Sequence, residues 1–170
     1  MSTQLKLTPS ESLEISASSP EALEVVATYG AGGSPPPKHS HPRQDEHFEV
    51  LAGAIHARVD GEERLLGTGE EIEIPRGAVH QMWNPDPTPA RVRWRTTPGG
   101  RTEQWFRAVD ALNRSERVGK NGMPSAVAFA VLLREFDDTV RLAGPAPLLG
   151  PALAAMALIG RARGYSAPSG

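Results

Sequence analysis

The chain has 170 residues, a net charge of −2 and no cysteine, so it is long enough to bury a core without disulfides. The absence of cysteine excludes a thiolate metal site and a thiol nucleophile. The near-neutral charge, with no basic stripe or polybasic run, argues against nucleic acid and anionic lipid as partners. Residues 1–20 lack the apolar run of a signal peptide, and the most apolar stretch, 148–159, is well short of the roughly 20 residues that span a membrane. Together these features predict a cytoplasmic protein.

Residues 1–21 read as an N-terminal arm, in which Leu13-Glu14-Ile15 is a candidate short edge strand. From Ala22 to Tyr29 alternation predicts a strand, and the Gly- and Pro-rich stretch 30–37 predicts a loop. His47–Leu51 reads as a strand ending at Gly53. Ala54–Val59 and Glu62–Leu66 flank Asp60-Gly61, a dipeptide suited to a type I′ hairpin turn. Glu71–Ile74 alternates with its isoleucines inward, and Val79–Trp83 and Arg91–Thr96 complete the strands. Short strands with turn signals every 8–12 residues or so predict a mainly β barrel or sandwich over 22–100.

The pattern changes after Gly100, where residues 101–170 read as a helical extension. Glu103–Leu112 is expected as one helix. A second is expected to open with Pro124, with Met123 or Gly122 near its cap, and to carry Phe129, Leu132, Leu133, Phe136 and Val140 on one face. Gly144-Pro145 would stop it, and Leu148–Arg163 would make a third. Asp110, Asp137 and Asp138 read as solvated.

Within the barrel segment, residues two apart in a strand face the same side. His39 and His41 therefore point together, Glu46 shares a face with Phe48 and Val50, and His80 shares one with Met82. A barrel that gathers these faces brings three imidazoles and one carboxylate to one point. Such a set suits Zn, Cu, Fe or Ni and leaves a position open. His47, His56 and Glu49 fall on the outer parity. Phe48, Ile72, Met82 and Trp94 are candidate pocket residues, and Arg91, Arg93 and Arg95 form an outward row expected across from Glu71 and Glu73.

The same residues carry a family resemblance. The pattern G(X)5HXH(X)3–4E(X)6G is met by Gly33, His39, His41, Glu46 and Gly53, and G(X)5PXG(X)2H(X)3N is met by Gly69, Pro75, Gly77, His80 and Asn84. The segment thus resembles the two motifs of the cupin superfamily. The resemblance implies a single jelly-roll barrel and one divalent metal (Fe, Mn, Ni, Cu or Zn) held by His39, His41, Glu46 and His80. It also implies turn roles for Gly53, Gly69 and Gly77, and a turn-capping Asn84. By analogy with similar cupins, the expected function is a dioxygenase-like enzyme that activates O2 on a small organic substrate, with Glu46 as ligand or proton acceptor. Alternatives are a Zn-dependent cyclase or isomerase, and a cupin that binds a small ligand without turnover. A homodimer is the default assembly.

Overall fold

The computed structural model describes residues 4–115 and 124–166. Eleven strands and three helices follow in chain order: β1 (Gln4–Thr8), β2 (Glu11–Ser18), β3 (Leu23–Tyr29), β4 (His39–Ser40), β5 (Asp45–Ala52), β6 (Ala54–Val59), β7 (Glu62–Gly67), β8 (Glu71–Ile74), β9 (His80–Trp83), β10 (Ala90–Thr97), α1 (Thr102–Arg114), α2 (Ala126–Glu135), β11 (Arg141–Leu142) and α3 (Ala146–Ala162). Two antiparallel sheets, ordered β1-β2-β3-β10-β5-β8 and β11-β4-β9-β6-β7, face each other as the halves of a barrel.

The barrel follows from alternation. Buried and half-buried residues alternate along all of β3, from Leu23 to Tyr29, and β8 buries Ile72 and Ile74 while exposing Glu71 and Glu73. The inward set, with Val25, Phe48, Val50, Ile55 and Val92, forms one continuous core. The β6–β7 hairpin turns at Asp60-Gly61 with both residues at positive φ, as a type I′ turn requires. At Gly53 (φ 76°) an added Cβ would lie 3.0 Å from the Pro89 carbonyl oxygen, so only glycine closes that corner.

Residues 4–18 are more ordered than an arm with one candidate edge strand. They form β1 and β2, and β2 pairs with β3 from Glu11↔Tyr29 to Ser18↔Leu23. Register shifts between Lys6 and Thr8 and between Ile15 and Ala17 interrupt the alternation, which is why the sequence pattern is weak there. The arginine row also differs from expectation. β10 lies between β3 and β5, so Arg93 faces Glu49 and ion-pairs with it, while Glu71 and Glu73 sit one strand further on.

Helix α1 seals the edge of β1. Its Asp110 accepts a hydrogen bond from the Lys6 backbone N–H at 2.7 Å, Asn113 donates to the carbonyls of Lys6 and Leu7, and Arg114 donates to that of Gln4. Asp110 is therefore buried, not solvated as its position on a tail helix suggested. Asp138 is only half-buried and pairs with Arg101.

Helix α2 begins at Ala126, two residues after Pro124; Gly122 and Met123 lie outside the described residues. It ends at Glu135, so Phe136 and Val140 lie beyond it. The chain leaves the helix there because residues 141–142 pair with β4 as a short strand. Helix α3 approaches α2 closely at Gly160, where a Cβ would come within 2.6 Å of the Val127 carbonyl. Leu148, Leu158 and Ile159 remain exposed on α3. Among the described residues no helix is long and apolar enough to cross a membrane.

Candidate metal centre

Two strands and the segment that follows the first of them deliver the histidines. β4 carries His39, the chain beyond it carries His41, and β9 carries His80, with His39 and His80 directly opposite in register. One ligand atom from each of these three histidines lies within 4.8 Å of the others. Glu46 enters from β5 in the other sheet and is buried. Its Oε2 lies 3.1 Å from His80 Nε2, and its Oε1 lies 3.4 Å from His41 Nε2. Trp94 Nε1 donates to Glu46 Oε1 at 3.0 Å and fixes the carboxylate plane.

The backbone sets the tautomers. His39 Nδ1 donates to the Pro37 carbonyl at 2.9 Å, His41 Nδ1 to that of Thr139 at 2.7 Å, and His80 Nδ1 to that of Ala78 at 3.1 Å. Each neutral ring then carries its lone pair on Nε2, the arrangement that metal-binding imidazoles adopt. His41 Nε2 and Glu46 Oε2 are buried without a hydrogen-bond partner. Glu46 Oε2 and His80 Nε2 lie 3.1 Å apart, a contact that a proton on the ring or a metal ion shared by both atoms makes favourable. The donor set therefore fits a divalent metal, with neutral nitrogens and one carboxylate and no competing lysine or arginine.

The ionisation behaviour of the cluster follows the same logic. Burial pushes the His39 pKa down to about 4, helped by repulsion from His80 and His41. Burial works against the charge on Glu46 too, but the surrounding imidazoles outweigh it and hold its pKa at about 2. At His80 burial is again opposed, here by the Glu46 carboxylate, and the pKa ends above 6.5.

The cluster opens onto a cavity of about 280 Å³. Phe48, Met82 and Trp94 line it, whereas Ile72 packs in the core opposite Phe48 and is not among its lining residues. Much of the remaining wall comes from the tail, through Trp105, Phe106, Phe129, Leu133, Val140 and Leu142. Glu11 and Tyr29 also face it. Neither carries a motif, and only the pairing of β2 with β3 could have revealed them.

Other residues fall where their parity places them. His47 pairs with Glu71 at 3.0 Å and His56 with Glu63 at 3.2 Å, both away from the cluster. Asn84 donates to the carbonyls of Tyr29, Gly30 and Thr88 and accepts from Asp86 N–H, so it ties turns together.

Comparison with known proteins agrees with the barrel fold. The cupin domain family model matches residues 25–95. The tetracenomycin polyketide synthase protein TcmJ of Streptomyces glaucescens is 34% identical over 68 residues, 40% of this chain and 46% of that protein. The oxidoreductase iacF of Pestalotiopsis fici is 41% identical over 54 residues, 31% and 26% of the two chains. The mannose-1-phosphate guanylyltransferase of Escherichia coli is 43% identical over 49 residues, 29% and 10%. The chain thus spans less than half the length of these curated relatives. Among solved structures, KdgF from a Halomonas species superposes with a TM-score of 0.52 at 24% identity, covering 56% of this chain and 87% of that one. An RmlC-like cupin from Shewanella frigidimarina gives 0.50 at 19%, covering 58% and 85%. Two facing antiparallel sheets, both histidine motifs and the family match lead to one conclusion: residues 25–95 of this chain form a cupin domain.

Proposed function

We propose that this cupin is a metal-dependent enzyme that acts with O2 on an apolar, aromatic small molecule bearing a phenol or enol oxygen. The observation that carries the reading is the opening of the His39, His41 and His80 cluster, with Glu46, into an aromatic-walled cavity. The four side chains would be the ligands. A divalent metal bound there supplies a Lewis acid for substrate oxygens and, where it is redox-active, a partner for O2.

The chain's own residues do the rest. Phe48, Trp94, Phe106 and Phe129 offer flat apolar contact and exclude water from the histidine end. Such walls suit a fused-ring or phenolic molecule better than a sugar, whose hydroxyls would go unpaired there. Trp94 holds Glu46 in place, and the three backbone carbonyls hold the rings. Of the two roles expected for Glu46, its depressed pKa favours ligand over proton acceptor, because a carboxylate held near 2 is a weak base.

One observation favours a second reading. The resemblance to TcmJ, a polyketide synthase protein, fits a redox-neutral cyclisation, for which a zinc ion held by the same residues would supply a Lewis acid. Elemental analysis of protein purified without chelators, followed by oxygen-electrode assays with phenolic and dicarbonyl substrates, separates the two. Iron, manganese, nickel or copper near one per chain with O2 uptake supports the oxygenase. Zinc with isomerised product and no O2 uptake supports the cyclase. Metal binding without turnover across the panel leaves a ligand-binding cupin and overturns the enzyme reading.

A further inference from the structure

The carboxylate arm of the cluster depends on a residue outside both histidine motifs. Trp94 lies on β10 opposite Phe48 of β5, while Glu46 pairs with Thr96 two residues along, so the indole and the carboxylate are diagonal neighbours. Aromatic side chains reach across such a diagonal. The indole is buried. Phe48 stacks on it with ring centroids 5.2 Å apart, and Phe106 of α1 meets it edge-on at 4.9 Å. One sheet and one tail helix thus hold the ring from two sides, and its Nε1–H meets Glu46 Oε1 at 3.0 Å.

The two oxygens of Glu46 consequently differ. Oε1 is engaged by an indole N–H, a group that only donates and so requires a lone pair opposite it. Oε2 is buried without a hydrogen-bond partner, and His41 Nε2 is left in the same state. The terminal torsion of a glutamate is broad, so an untethered carboxylate turns and offers either oxygen to a cation. Here a single neutral donor removes that freedom, and no lysine or arginine among the described residues pairs with Glu46 in its place. The same indole lines the cavity, so one side chain serves both wall and ligand.

We propose that Trp94 is the positioning residue of the metal centre: its N–H retains Glu46 Oε1, which makes Oε2 the oxygen presented to the metal. The proposal rests on the metal-enzyme reading above and names the group that sets its carboxylate ligand.

The test is a double-mutant cycle on the full chain with Trp94→Phe, Glu46→Ala and the pair, loaded with zinc or cobalt. Trp94→Phe keeps an aromatic ring between Phe48 and Phe106 and removes the donor. It should weaken zinc binding by about tenfold or more, the usual effect of losing a group that orients a ligand. The visible bands of the cobalt-loaded chain should shift with it, because the carboxylate is then free to turn. In the Glu46→Ala background the same substitution should change neither affinity nor bands, since its effect passes through the carboxylate. Wild-type affinity and bands in Trp94→Phe, or an equal loss with and without Glu46, would overturn the proposal. A readout that leaves Trp94 in place guards against a misfolded variant. The chain has three tryptophans, and one of their indole N–H resonances should move in metal-free Glu46→Ala relative to metal-free wild type. Three unmoved resonances would show that the hydrogen bond is absent and overturn the proposal too. Failure of the metal reading looks different, because wild type itself would then bind neither ion.

Discussion

His39, His41 and His80 each commit Nδ1–H to a backbone carbonyl, so their Nε2 atoms are aimed at one point before any ion arrives. Truncating one ring would remove one of the proposed metal ligands without touching the apolar core. His39→Ala and His80→Ala are expected to retain the far-ultraviolet signature of the barrel while bound metal falls from near one per chain to a small fraction; full retention in either would refute the ligand set. Protons should compete unequally at the two rings. His80, whose folded-state pKa is raised, begins to take a proton above pH 6.5, whereas His39 resists until about 4. Apparent zinc affinity should therefore decline by about tenfold per pH unit below the His80 value, as for one competing proton. The sign for folding without metal is separate. The folded pKa of His39 is depressed, so the stability that its neutral form confers is present above 6.5 and lost as pH falls toward 4. Competition with a chromophoric chelator between those values measures the affinity slope, and a flat profile would remove His80 from the site.

At the scale of elements, the part of the fold that sequence made legible is the part built from local signals. Alternation marked β3, β8 and β10, Asp60-Gly61 marked its hairpin, and motif spacing marked the histidines together with Glu46. Contacts between distant segments left no such trace. Asp110 looked solvated because its distant partner, the Lys6 N–H, meets it only once α1 lies along the edge of β1. Residues 141–142 looked helical because a two-residue strand has no period, and its partner β4 is about a hundred residues away. Arg93 found Glu49 because sheet order, which parity does not encode, places β5 beside β10. The α1 seal has a measurable consequence. Asp110→Ala leaves the Lys6 N–H without its acceptor and the Arg114 guanidinium without its carboxylate partner, and should cost about 1–3 kcal/mol. It should also free β1 to pair with other chains. Denaturant midpoints and light scattering together report this; an unchanged midpoint would show that the seal adds nothing.

For the molecule as a whole, barrel and tail complete one site between them. The Thr139 carbonyl orients His41, β11 pairs Leu142 with His39, and the Ala143 N–H donates to the Lys38 carbonyl. The segment that supplies these contacts is itself pinned by Arg101. Its guanidinium bonds the Glu135 carbonyl and side chain, pairs with Asp138, and stacks over the Phe136 ring at 4.4 Å. Groups that orient ligating histidines typically shift metal affinity by about 10–100-fold when removed. Coupling of this kind is reciprocal, so whatever the tail contributes to metal binding, metal binding must return to the docking of the tail. Arg101→Ala touches neither a ligand nor the cavity wall, yet it should weaken zinc binding by about tenfold, within the usual range of coupling free energies. Zinc should correspondingly slow hydrogen exchange at residues 139–143 in wild type, and less so in the variant. If exchange there ignores zinc, the tail only covers the cavity, and the barrel alone sets the geometry of the three rings.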